Sequence, residues 1–109
     1  MTGSDPEVTL AELKLFLSRL TEISTEGEER FSADWVLQEA ATSLIAKAAE
    51  AASWLPNEVK ELYSGVAWER LKGMRNRLLH GYQATDLSIV WGVCSRDASA
   101  ALEALAVDC

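Results

Sequence analysis

Arg75 and His80 are the residues of this sequence whose types and spacing could do chemistry. They lie in the stretch Arg75-Asn76-Arg77-Leu78-Leu79-His80-Gly81-Tyr82. His80 is the one histidine among 109 residues. An imidazole titrates near neutrality, so it can take or give a proton at working pH. A guanidinium is always charged and can clamp a phosphate through two parallel hydrogen bonds. One metal-free reaction needs that pair. The 2′-OH of RNA attacks the adjacent phosphate, a base removes its proton, and a cation stabilises the extra negative charge. DNA lacks that hydroxyl, which confines the chemistry to RNA.

The spacing is not simple. On an ideal helix each residue turns by about 100°, so positions 75 and 80 point about 140° apart. Arg77 and His80 share a face, as do Arg75 and Tyr82. A break at Gly81 would let His80 and Tyr82 swing back, which keeps Arg75 within reach. Cleavage of this kind benefits from both an acid and a base, and each chain carries one histidine. A two-fold dimer would bring two copies of His80 to one cleft, so the active form is expected to be a dimer. A helix-terminal histidine also stabilises the end of its helix dipole, and short motifs recur by chance. Spacing alone leaves both readings open.

Charge narrows the partners. The formal net charge is -7, which repels nucleic acid at long range. Contact with RNA would need a local basic patch or a partner. Arg70, Lys72, Arg75 and Arg77 supply four of the 10 basic residues in one segment, whereas Glu22, Glu26, Glu28 and Glu29 cluster elsewhere. A basic helix can also be no more than a solvated face. Cys94 and Cys109 have no C-x-x-C spacing, and with one histidine they make a structural zinc site improbable. Neither a metal nor a cofactor is expected. Met1 to Val8 carries Asp5 and Glu7 and no apolar stretch, so no secretory leader is expected. No apolar run reaches the length of a membrane span. The expected location is cytoplasmic.

The elements that must position these residues read as helices. The composition is 49% apolar and 25% charged, with 2 Pro and 6 Gly, which suits one globular domain over residues 1–109. Leu10, Leu13, Leu17 and Leu20, widened by Phe16, predict a helix from about Glu7 to Ile23. Ser24 to Arg30 reads as a loop around Gly27. Leu37, Ala41, Leu44, Ala48, Ala52 and Leu55 predict a long helix from Ser32 to Trp54, with alanines permitting close helix approach. Pro56 turns the chain, and Asn57 is expected to cap a short helix to about Tyr63, ended by Ser64-Gly65. Trp68, Leu71, Met74 and Leu78 line the helix that carries the key stretch, with Gly81 its terminator. Thr85 or Asp86 is expected to cap the last helix, whose stripe is Leu87, Val90, Val93, Cys94, Ala98, Ala101, Leu102 and Leu105. The expected architecture is all-α, an antiparallel bundle of four to five helices.

Gly73-Met74-Arg75-Asn76-Arg77-Leu78-Leu79-His80-Gly81-Tyr82, followed by Asp86-Leu87-Ser88-Ile89-Val90-Trp91, resembles the HepT-like toxin family. That family belongs to the HEPN superfamily of helical ribonucleases, and its motif is Arg, four residues, His, any residue, Tyr. Arg75, His80 and Tyr82 match it, and Asn76 supplies the usual polar residue after the arginine. Trp68, Asp86 and Trp91 fall where the family pattern has them. Ala49-Glu50-Ala51-Ala52 is similar to the family's Gly-Glu-Ala-Ala, with Ala49 in place of Gly. The first helix matches only in type, and the C-terminus lacks a proline of many relatives.

The resemblance implies a metal-independent endoribonuclease, the toxin of a toxin–antitoxin pair, acting on tRNA or mRNA as a homodimer whose paired motifs line one cleft. Its antitoxin is a minimal nucleotidyltransferase that attaches AMP to the motif tyrosine. By carry-over Arg75 and His80 are catalytic, Asn76 supports the site, and Tyr82 is the modified residue. Physical chemistry agrees with that regulation, because a phosphate on Tyr82 would pair with Arg75 and block the substrate's own phosphate. Glu50 is placed as a supporting partner of Arg75 across the bundle, with a structural role open beside it. Asp86 reads as a cap, and Trp68 and Trp91 read as core. The competing reading is a non-catalytic helical interaction module that binds and regulates a nucleotidyltransferase.

Overall fold

Three aspartates start three helices by one device. In the computed structural model Asp5, Asp34 and Asp86 each turn a carboxylate oxygen onto the backbone N–H two residues on, at 3.0, 2.9 and 2.8 Å. Each bond satisfies a donor that has no partner inside its helix. The structure describes residues 5–80 and 86–106, with only the backbone of 78–80. Asp86 also accepts from the Ser88 hydroxyl at 2.7 Å. That bond and the Ser88 amide hold its carboxyl below the ordinary range. The expected cap at Asp86 is borne out, and its contribution is lost only as the pH falls through that lowered value. Thr85 lies outside the described residues.

Helix α1 spans Pro6–Ser24, with Pro6 in the first turn, where a missing N–H costs nothing. Leu13, Leu17, Leu20 and Ile23 are its buried stripe, as the leucine spacing predicts, and Leu10 packs at the edge. The segment read as a loop from Ser24 to Arg30 is corrected. Gly27, at φ 92°, reverses the chain, and a short helix α2 spans Glu28–Ala33. Its anchor is Phe31, 1% exposed, whose ring meets Trp91 at a centroid distance of 5.2 Å.

The long helix read from Ser32 begins later. Asp34 ends α2 and caps α3, which spans Trp35–Ser53. The buried line of α3 runs through Ala41, Ile45, Ala48 and Ala52 to Leu55 just beyond it. Ile45 takes the central place expected of Leu44, and Leu44 and Leu37 lie partly buried beside it. The alanines have no bulk to hold neighbours off, and α3 packs against both α1 and α5. Replacing Asp34 with Ala is expected to lower stability by about 1 kcal/mol, and Asp34→Asn by much less, in urea unfolding followed by circular dichroism.

A second short helix, α4, spans Asn57–Leu62. Pro56, with its fixed φ of -66°, occupies the cap position, so Asn57 is the first helical residue and not the cap expected of it. At Gly65 a Cβ would lie 3.2 Å from that of Ala104, so a side chain there would press on the last helix. Helix α5 spans Trp68–His80. Its start is pinned by the Trp68 indole, which donates to the carbonyls of Lys60 and Tyr63, each at 3.1 Å. The Lys60 ammonium lies 5.9 Å over the same ring. Trp68 and Trp91 are partly buried against the core. Gly81, the expected terminator, lies outside the described residues.

The last helix is not one regular helix. Helix α6 spans Leu87–Gly92, a π-helical turn spans Val93–Asp97, and α7 spans Ala98–Leu105. Val90, Val93, Cys94, Ala98 and Leu105 are buried, but Leu87 is 41% exposed and leaves the expected stripe. Leu87 opens the helix at its solvent end, ahead of the turns that pack. Burial pushes the Cys94 thiol up to about 11. The four long helical runs, α1, α3, α5 and α6 to α7, make an all-α bundle around one apolar cluster, with no strand among the described residues.

Candidate functional site

The site is built where the end of α3 meets the middle of α5. Leu71 and Met74 turn the inner face of α5 toward the core, so the next residue, Arg75, emerges at the edge of the contact with α3. There its Nε donates to Glu50 Oε1 at 2.7 Å. This is a charge-assisted bond of ideal length across 25 residues of sequence. The other carboxylate oxygen, Oε2, accepts from the indole Nε1 of Trp54 at 3.0 Å. One carboxylate therefore fixes a guanidinium on one side and an indole on the other. The Arg75 side chain stays 34% exposed and that of Glu50 47%.

The structure thus brings Arg75 and Glu50 together. It places Asn76 and Arg77 exposed on the outer face of α5, with Lys72. His80 is the last residue of α5, so the helix holds through it and positions 75 and 80 stay about 140° apart around the axis. They are separated by about 7.5 Å along that axis. The side chain of His80 and all of Tyr82 lie outside the described residues. Sequence reasoning missed Trp54. Its signal is the spacing of Glu50 and Trp54, four residues apart and so stacked on one helix face.

Arg70, the first residue of the basic segment, is anchored elsewhere. Arg70 Nη2 lies 3.1 Å from Asp97 Oδ2 in the π-helical turn, which ties α5 to the last helix. That oxygen is sealed from solvent and has no aligned hydrogen bond, so the contact is ionic. Beneath this pair lies a cavity of about 230 Å³ walled by Leu17, Ile45, Val66, Leu71 and Met74. It is apolar and includes neither Arg75 nor Glu50, so it is not the place where the candidate chemistry meets solvent. Among the described residues no three His, Cys, Asp or Glu side chains gather into a metal-binding group. No helix among them is long and apolar enough to cross a membrane.

Comparison with known proteins gives consistent matches. The sequence model of the ribonuclease HepT-like family matches residues 13–107, which include the whole Arg75 to Tyr82 stretch. A candidate RNase of Caldanaerobacter subterraneus subsp. tengcongensis is 34% identical over 85 residues, covering 78% of this chain and 73% of that protein. A candidate ribonuclease HepT of Thermococcus cleftensis is 29% identical over 69 residues, 63% of each chain. A candidate RNase of Methanocaldococcus jannaschii is 31% identical over 48 residues, 44% of each chain. No solved structure matches the chain significantly. With a match over nearly the whole bundle, the chain belongs to the ribonuclease HepT-like family.

Proposed function

We propose that this protein is a metal-independent endoribonuclease, the toxin of a toxin–antitoxin pair, which cleaves tRNA or mRNA in the cytoplasm as a homodimer. Family membership supplies the activity class. The observation that carries the reading further is the Arg75 guanidinium, held by Glu50 at 2.7 Å yet partly open to solvent, on the helix that ends in His80. A guanidinium has five N–H donors, and the bond to Glu50 uses the one on Nε. The others suit a phosphate.

In the proposed reaction one copy of His80 takes the proton of the 2′-OH, and the 2′-oxygen bonds to phosphorus. The bond from phosphorus to the 5′-oxygen breaks, and that oxygen takes a proton from His80 of the second copy. The products are a 2′,3′-cyclic phosphate and a 5′-OH. Arg75 stabilises the charge that grows on the phosphoryl oxygens. Glu50 holds Arg75, and exposed Asn76 offers a further donor beside it. A minimal nucleotidyltransferase antitoxin silences the site by attaching AMP to Tyr82, which sets a phosphate before Arg75.

The test is cleavage by the purified, unmodified protein. RNA is expected to be cut in the presence of EDTA, leaving cyclic phosphate ends, and to stay intact once intact-mass measurement shows AMP on the chain. Unmodified protein that leaves tRNA and mRNA whole sinks the proposal. The net charge of -7 favours a second reading, a non-catalytic module that docks the nucleotidyltransferase. Growth arrest by this chain alone, relieved by Arg75→Ala, would count against that module.

A further inference from the structure

Trp54 is a large aromatic left half in water, 50% exposed, at the C-terminal cap of α3. Its ring is not loose. The indole N–H is bonded at 3.0 Å to the same Glu50 carboxylate that holds Arg75 at 2.7 Å. An exposed, oriented ring and an oriented guanidinium are therefore neighbours through one shared group. A nucleotide presents the complementary pair, a planar base with a π-face and an anionic phosphate. Single-stranded RNA is held in this way elsewhere, by stacking splayed bases on aromatic rings.

We propose that Trp54 is a base-stacking platform that seats one nucleotide of a single-stranded RNA beside Arg75. The ligand class rests on the ribonuclease reading above. A second protein surface fits the position less well, because covering the ring would also desolvate the half-exposed Glu50–Arg75 pair, which is costly. Trp35 is more exposed, at 71%, but stands at the opposite end of α3 from Arg75. Trp54 acts in binding and positioning, since stacking places the strand without touching the reacting atoms.

The probe is a single-stranded RNA with every 2′-OH methylated, which can bind but cannot be cleaved by 2′-OH attack. Binding is expected to quench the tryptophan fluorescence of the native protein, and Trp54→Phe to remove most of that quench while keeping most of the affinity. Trp54→Ala is expected to weaken binding roughly tenfold, the usual scale for losing one stacked base. On cleavable RNA it should raise KM by a similar factor and change kcat little. Unchanged thermal unfolding of both variants shows that the fold is kept. An equal quench in Trp54→Phe, unchanged affinity and KM in Trp54→Ala, or the absence of binding overturns the proposal. So does a dimer that falls apart on Trp54→Ala while RNA leaves the indole unquenched, for then a second copy covers the ring. If RNA binds and quenches through Trp54 but is never cut, the ribonuclease reading fails and the platform stands. If RNA is cut while the Trp54 variants match the native protein, the platform alone fails.

Discussion

Arg75→Ala and His80→Ala are each expected to lower RNA cleavage by about 10²- to 10⁴-fold, with the fold intact. The two losses have different origins. In the proposed reaction, His80→Ala would remove the group that moves the proton, and Arg75→Ala would remove the charge that meets the developing phosphorane. Stability should barely change in the arginine variant. The Glu50–Arg75 pair is more than one-third exposed at each side chain, a setting in which ion pairs contribute about 1 kcal/mol or less. Lysine is not expected to rescue position 75. Its ammonium is a point charge and cannot bond Glu50 through one edge while presenting a planar fork with the other. Glu50→Gln keeps an oxygen that can accept from Arg75 but loses the charge, so about a tenfold loss is expected. Initial rates on one RNA, with unfolding curves for each variant, check the series. Full activity in Arg75→Ala would refute the assignment.

Phe31→Ala is expected to cost about 3–5 kcal/mol. That is a large share of the roughly 5–15 kcal/mol that holds a domain of this size together. Phe31 is 1% exposed and packs on Trp91. It belongs to a helix of 6 residues, too short to be stable without tertiary contacts. Emptying the site therefore removes both core volume and the only fully buried apolar side chain of α2. Phe31→Leu, which keeps most of the volume, should cost clearly less. Urea midpoints followed by circular dichroism measure both, and a loss under about 1 kcal/mol for the alanine variant would show that α2 is not anchored there.

Phe31 also shows where the sequence stopped being legible. Leu13, Leu17 and Leu20 announced α1 because a regular stripe on a long helix repeats the same evidence several times. Asp86 announced its helix because a cap is a local interaction between near neighbours. Phe31 had neither advantage. A single apolar residue in an acidic stretch has no period, and its burial depends on Trp91, 60 positions away. The π-helical turn was hidden for a related reason, since its stripe breaks the period that would reveal it. At the site, the Glu50–Arg75 pairing could be anticipated from the family resemblance alone. Periodicity does not place Glu50, because the contact depends on how α3 and α5 cross. Trp54 carries only the weak signal of its four-residue spacing from Glu50, and its exposure, which the sequence does not show, is what sets it apart from a packed aromatic.

The π-helical turn at Val93–Asp97 has a consequence for how the last helix tolerates change in length. It takes up one residue more than a regular turn. A π-helical stretch of 5 residues advances about as far around the axis as one residue fewer of α-helix, so removing one residue there would restore an unbroken helix and leave everything after it in phase. Asp97 would keep Arg70, and Ala98 and Leu105 would stay in the core, whereas the same deletion inside the regular turns of α7 would rotate the residues after it by about 100°. The turn thus absorbs one extra residue between two halves of one rod, and it is the place in this helix where losing a single residue disturbs the register least.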